Sequence, residues 1–335
     1  MAFKHRLSIL DFAAIGPGVT AEQALTWTTD VAQAAESLGF HRFWVTEHHS
    51  VPDIGASAPA VLLAHLAANT ARLRLGSGGV MLPNHPPIIV AEQFATLNAL
   101  YPGRIDLGIG RARGADEAAA RALGHEPNDR EPARFAEQLD QLSGFLGDGF
   151  PEGHLFRNVQ VSPRTDPLPI FLLGSSVDSA RFAGERGLAF AFAHHLAPDL
   201  TSASLSAYRD AFRPSTALRE PYAIATVQVV CARTQVNAER AAVRAAAIRF
   251  RRRLASRNGH SPTPAELMDP EFTADEAANI TQGLSSESIL IGTPESVRTG
   301  LESMHSTTGA NELMLCTLEY EGPARIRTLE CIMED

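Results

Sequence analysis

Apolar and polar positions along the chain fall into short apolar runs separated by longer segments with a helical period. Residues 7–10 form a compact apolar run that ends at Asp11, as a buried strand does. Thr20 then opens a helix, with Gln23 three residues on in the pattern of a capping box. Leu25, Val31, Ala32, Ala35 and Leu38 supply its apolar face, and Gly39 its stop. The same alternation predicts further strands over 42–46, 73–75, 105–109, 169–173, 188–192, 222–231 and 312–315. Between and after them it predicts helices over 59–70, 86–101, 130–146, 176–186, 200–212, 237–253, 295–304 and 325–334. Two stretches break the rhythm. Residues 147–167, rich in Gly and Pro, read as a hairpin insertion; residues 256–288, polar with scattered Pro and Gly, read as a mobile segment.

Repeated strand–helix units imply a parallel sheet. About eight of them, with no linker between halves, point to a closed (β/α)8 TIM barrel with insertions rather than an open doubly wound sheet. The expected organisation is one domain over 1–335 with a mobile lid at 256–288.

Composition narrows the function. The 335 residues are 44% hydrophobic and 20% charged, which excludes a disordered or fibrous chain. A net charge of −9 without a basic stripe argues against a nucleic-acid partner. Lys4 is the only lysine and all other basic residues are arginine, the mark of a GC-rich genome, so a lone arginine carries little meaning. Cys231, Cys316 and Cys331 are far apart and share no metal spacing, and a reducing cytoplasm is the simplest setting. The charged N-terminus and the lack of a long apolar run predict no signal peptide and no membrane span.

The distinctive polar residues all sit just after predicted strands: Asp11, Glu47-His48-His49, Gly76 to Gly79, Gly110-Arg111, Gly174-Ser175-Ser176 and His194-His195. In a barrel these positions share the C-terminal face, where βα loops build active sites. Gly108 and Gly110 fail the dinucleotide fingerprint because Arg113 replaces its last glycine. Gly174-Ser175-Ser176 leads into a helix whose N–H groups, with Ser179, would bind an anion or would simply be capped by Ser176. Arg111 is the natural charge partner for a phosphate there, against the alternative of a surface arginine. Adjacent histidines are poor co-ligands for a metal, so His48 reads either as a general acid/base and hydrogen-bond donor or as a structural histidine. No GxSxG elbow or Cys–His pair supports nucleophilic hydrolysis.

Four blocks then carry a resemblance. They are Phe43-Trp44-Val45-Thr46-Glu47-His48-His49, the run from Leu75 through Gly76-Ser77-Gly78-Gly79 to Pro87, Ala91-Glu92-Gln93, and Gly103 through Arg111. Together they are similar to the bacterial luciferase-like flavin monooxygenases, in order and spacing over 7–124 and more loosely to the C-terminus. The single-chain members common in GC-rich actinomycetes, some encoded in polyketide gene clusters, are the most similar, which makes a polyketide one candidate substrate. The resemblance implies a (β/α)8 barrel that binds reduced FMN or, in some branches, F420. It implies a two-component monooxygenase in which a separate reductase supplies reduced FMN and O2 adds to form a C4a-hydroperoxyflavin that oxygenates a small organic substrate. An F420-dependent oxidoreductase and a non-catalytic flavin-binding protein are the alternatives. His48 matches the catalytic histidine, with Glu47 beside it in place of the Asp-His pair frequent in F420 branches, which favours FMN. Gly78 and Gly79 match the peptide beneath the flavin ring, often cis. Arg111, Ser175, Ser176 and Ser179 match phosphate-binding positions, and 256–288 matches the loop that closes over the site. A homodimer is implied through the alanine-rich helix at 59–70. Gly110 stands where luciferase has a reactive cysteine, so long-chain-aldehyde light emission does not carry over.

Overall fold

A computed structural model of the chain describes residues 5–112, 114, 116–125, 131–147, 149–285 and 287–334. Ten strands are formed: β1 (Arg6–Asp11), β2 (Arg42–Val45), β3 (Arg74–Ser77), β4 (Val80–Met81), β5 (Ile105–Gly110), β6 (Ile170–Gly174), β7 (Ala189–Phe192), β8 (Ala223–Cys231), β9 (Ile289–Gly292) and β10 (Glu312–Thr317). Eight of them, β1, β2, β3, β5, β6, β7, β8 and β10, follow one another around a ring, and β10 pairs with both β8 and β1 to close it. Every pairing is parallel, and helices cover the outside. This is the (β/α)8 barrel expected from the repeated units.

The two remaining strands were not legible in the sequence. β9 pairs with the end of β8 on the edge that β7 leaves open past Ala225, Gln228 opposite Ile289 through Cys231 opposite Gly292. β4 extends the path of β3 and pairs with the end of β5. The hairpin expected over 147–167 does not form. Its described residues are turns and bends, packed by the rings of Phe145, Phe150, His154 and Phe156 rather than by a strand ladder. Of the capping box expected at residue 20, the Thr20 side chain accepts from the Gln23 N–H at 3.2 Å. The segment 256–288 contains two short helices, Pro264–Leu267 and Ala274–Leu284. Arg251 of the long helix Gln235–Arg257 ties them down, pairing with Glu276 at 2.7 Å and donating to the carbonyls of Asp269 and Glu271 at 2.7 and 2.6 Å.

Inside the ring, alternate strand residues stack in layers. The layer at the N-terminal mouth is polar. Arg42 pairs with Asp106 at 2.7 Å and with Glu312 at 2.8 Å, all three almost wholly buried. Ser8, Tyr222 and Arg74 complete the network. Burial works against the charge of Arg42, but the two carboxylates outweigh it and raise its pKa further. Above this plug lies an apolar layer with Leu10, Trp44, Phe171, Ala191 and Met314. Trp44 meets Phe171 edge to face at 4.9 Å and crosses the barrel only because Gly76 lacks a side chain: a Cβ there would stand 2.5 Å from the indole nitrogen. The N-terminal mouth is thus closed by an ion-pair network and the middle by an aromatic floor, which leaves the C-terminal mouth open for a site.

Candidate active site

A cavity of about 820 Å³ opens at the C-terminal mouth, within the size range of small-molecule and cofactor sites. Leu10, Trp44 and Met314 form part of its floor. Gly78 belongs to its wall, and the Gly78–Gly79 peptide is cis. A Cβ on Gly78 would collide with the Leu10 side chain, and one on Gly79 would approach the Gly108 carbonyl to 2.8 Å. Bare backbone is therefore presented between β3 and β4 because neither position has room for a side chain.

On the β5–β6 side the cavity is lined by Arg111, Ser175, Ser176 and Ser179. Ser176 caps the helix Val177–Glu185, accepting from the Ser179 N–H at 3.2 Å, and Ser179 returns the bond to the Ser176 N–H at 3.2 Å. The capping role that Ser176 was expected to fill is real, and it also holds both serines at the cavity wall. The positive end of that helix and Arg111, an exposed residue, share this side of the cavity. Asp178, in the first turn, lines the cavity as well and lies 3.9 Å from Arg181.

The three residues of Glu47-His48-His49 diverge. His48 lines the cavity, with its Nδ1 3.1 Å from the Thr46 hydroxyl and its ring tilted against Phe12. Burial lowers its pKa, so the ring is neutral near pH 7. Glu47 turns away from the cavity. It is fully buried and accepts from His49 Nε2 and His85 Nε2, both at 2.8 Å, and from the Met81 N–H at 3.2 Å. Burial favours its protonated form, but the bonds and charge of His85, the bond from His49 and the Met81 N–H outweigh burial and lower its pKa. Glu47 thereby ties the loop after β2 to the segment after β4, and this clamp sets where His48 sits.

The remaining strand-end residues separate in the same way. Asp11 lies beneath the site, ion-paired with Arg325 and accepting from the Ala13 N–H at 2.7 Å and the Thr28 hydroxyl at 3.1 Å. His194 is fixed between the Thr201 hydroxyl at 2.8 Å and the Glu287 carbonyl at 3.0 Å. His195 reaches the cavity; its Nδ1 donates to the Thr226 carbonyl at 3.3 Å, which leaves Nε2 as an acceptor, and burial pushes its pKa down to about 4.

Several cavity residues had no signal in the sequence reading. Thr226 and Gln228 are consecutive inward positions of β8, visible in retrospect as two polar residues at i, i+2 in an otherwise apolar strand. Glu319 and Tyr320 follow β10, where the expected strand ended too early to mark them as mouth residues. Arg249 is one arginine among many on the helix Gln235–Arg257.

Comparison with known proteins agrees with this architecture. The luciferase-like monooxygenase family profile matches residues 5–311. The chain belongs to that family. A luciferase-like monooxygenase of Escherichia coli is 39% identical over 330 residues, covering 98% of this chain and 96% of its own. Among solved structures, apo-MsnO8 is 34% identical with a TM-score of 0.81, covering 99% of this chain and 97% of its own. Two more distant structures share the fold alone. The oxygenating constituent of 3,6-diketocamphane monooxygenase from Pseudomonas putida, solved with FMN, is 21% identical with a TM-score of 0.71 and covers 98% of this chain and 97% of its own. An F420-dependent secondary alcohol dehydrogenase is 16% identical with a TM-score of 0.66 and covers 99% of this chain and 100% of its own. This luciferase-like monooxygenase is thus an oxidoreductase, and among its described residues no helix is long and apolar enough to cross a membrane.

Proposed function

We propose that the chain is the oxygenating component of a two-component monooxygenase that uses reduced FMN and O2 to oxygenate a small organic substrate. The observation that carries this reading is the convergence of His48, the bare Gly78 backbone, Arg111, Ser175, Ser176 and Ser179 on one cavity. These residues fit FMN. Arg111 and the N-terminus of the helix Val177–Glu185 would hold the phosphate, and the floor of Leu10, Trp44 and Met314 with the Gly78–Gly79 backbone would take the ring system. FMN rather than F420 is favoured by Glu47-His48, and a separate reductase supplies the reduced form.

Bound reduced flavin supplies the electrons that activate O2; the protein supplies orientation and a dry, polar-edged chamber. With the Thr46 hydroxyl donating to His48 Nδ1, Nε2 would carry the proton and donate to the reacting oxygen. A neutral histidine is the right form for this, because it offers one N–H without placing a full charge in the cavity. Glu47 acts through its clamp on His49 and His85 and positions His48. The segment 256–288 would close over the site to keep water out once its contacts to Arg251 give way.

Titration with FMN, riboflavin and F420 tests the cofactor. FMN is expected to bind more tightly than F420. Arg111→Ala is expected to weaken FMN by about 2 kcal/mol, roughly thirtyfold, and riboflavin hardly at all, because the lost contact is to phosphate. Equal losses for both flavins would remove Arg111 from the phosphate site.

We also propose a homodimer. Val61, Ile89 and Leu100, on the neighbouring helices Pro59–Ala68 and Pro87–Leu100, are 73%, 42% and 62% exposed. A face of this kind is covered in a pair of subunits. Light scattering at micromolar concentration should give the mass of two chains; the mass of one would contradict the proposal.

A further inference from the structure

The cavity wall carries two arginines that form no ion pair with any carboxylate among the described residues. Arg111 is the first and stands after β5, on the side of the cavity lined by Ser175, Ser176 and Ser179. Arg249 is the second. Its charge bears on His195 after β7 and on Cys316, Glu319 and Tyr320 along and after β10. In the ring order, β10 stands four strands from β5, directly across the barrel. The two arginines therefore line the cavity on opposite sides.

The carboxylates on the wall do not neutralise Arg249. Asp53 is taken by Arg252 at 3.0 Å. Asp178 lies on the other side, beside Arg181. Glu319 lies beyond ion-pair distance of Arg249 and is held by the Thr328 hydroxyl at 2.7 Å. Its Oε2 is buried without a partner, and burial raises its pKa to about 7 against the pull of Arg325 and Arg249, so it is a weak counter-ion at best. An uncompensated cation in a partly desolvated cavity calls for an anion, and a guanidinium offers a carboxylate two parallel N–H bonds.

We infer that Arg249 recognises a negatively charged group on the substrate, so that this cavity takes an organic acid beside its cofactor. The inference rests on the reading of the cavity as shared by a flavin and a substrate. Thr226 and Gln228 of β8 and the Tyr320 hydroxyl line the same side and give a bound acid further hydrogen-bond partners.

Calorimetric titration of the full chain with octanoate and octanamide, and with benzoate and benzamide, with and without saturating FMN, tests this. Each acid should bind about tenfold or more tightly than its amide, with FMN present as well as without it. Arg249→Met should erase the preference, Arg249→Lys should keep part of it, and Arg111→Ala should leave it in place. Four results would overturn the inference: equal binding within both pairs, no binding of either acid, a preference that survives in Arg249→Met, or one that FMN abolishes. The last would mean that the acid had occupied the cofactor's own ground. The wild-type comparison decides the matter even where a variant fails to fold. FMN titration of the same protein reads the cofactor assignment separately, since the acid preference is also measured without flavin.

Discussion

His48→Ala is expected to bind FMN normally yet lose product formation by about 10²–10⁴-fold, the usual contribution of a positioned acid/base group. His48 reaches the cavity while Glu47 and His49 do not, so removing its ring deletes a donor without dismantling the clamp beneath it. Oxygen uptake should continue, with hydrogen peroxide appearing in place of oxygenated product. Product yield and peroxide release, measured together under a supply of reduced FMN, check this. His49→Ala should behave in the opposite way. It leaves one lobe of the Glu47 carboxylate short of a partner and should lower stability more than yield. If His48→Ala coupled oxygen to product as well as the parent does, His48 would be structural, and His195, whose ring also reaches the cavity, would be the next candidate.

The largest effect on stability is expected at the other end of the barrel. Arg42→Met should cost about 3–5 kcal/mol, because it leaves Asp106 and Glu312 buried without their shared cation. Arg74, Ser8 and Tyr222 hold some of the orphaned oxygens, and the guanidinium also stacks over Phe171 at 5.0 Å, so the loss combines charge and packing. Urea unfolding measures it. The double variant Arg42→Met/Glu312→Met should recover part of the loss, since removing a buried charge together with its partner costs much less than stranding one of them. A loss in Arg42→Met of less than about 1 kcal/mol, the range of exposed pairs, would mean that water reaches the plug.

The barrel and the face that carries its site followed from the sequence because both depend on local order. Strand and helix periods are set residue by residue, and a residue that follows a parallel strand must lie at the C-terminal mouth whatever surrounds it. Hence residues as far apart as His48, Gly78, Arg111 and Ser175 were assigned to one face before any contact was known, and the cavity does collect them. Tertiary structure alone decided which neighbours turn inward. Glu47 and His48 are adjacent, yet one is locked under the loop by His49, His85 and the Met81 N–H while the other faces the cavity. That choice depends on partners up to 38 positions away, which no local period encodes. β9 is similarly a product of its neighbour: the short run Ile289–Gly292 becomes a strand because β8 continues past the end of β7 and leaves the last residues on that edge open. The segment 147–167 packs its aromatic rings against Phe145 and needs no ladder, so its glycines and prolines marked turns without strands between them. Arg249 shows the limit most directly. In sequence it is one of many arginines in a long exposed-looking helix, and only the placement of that helix against β8 and β9 brings its charge to the cavity across from Arg111.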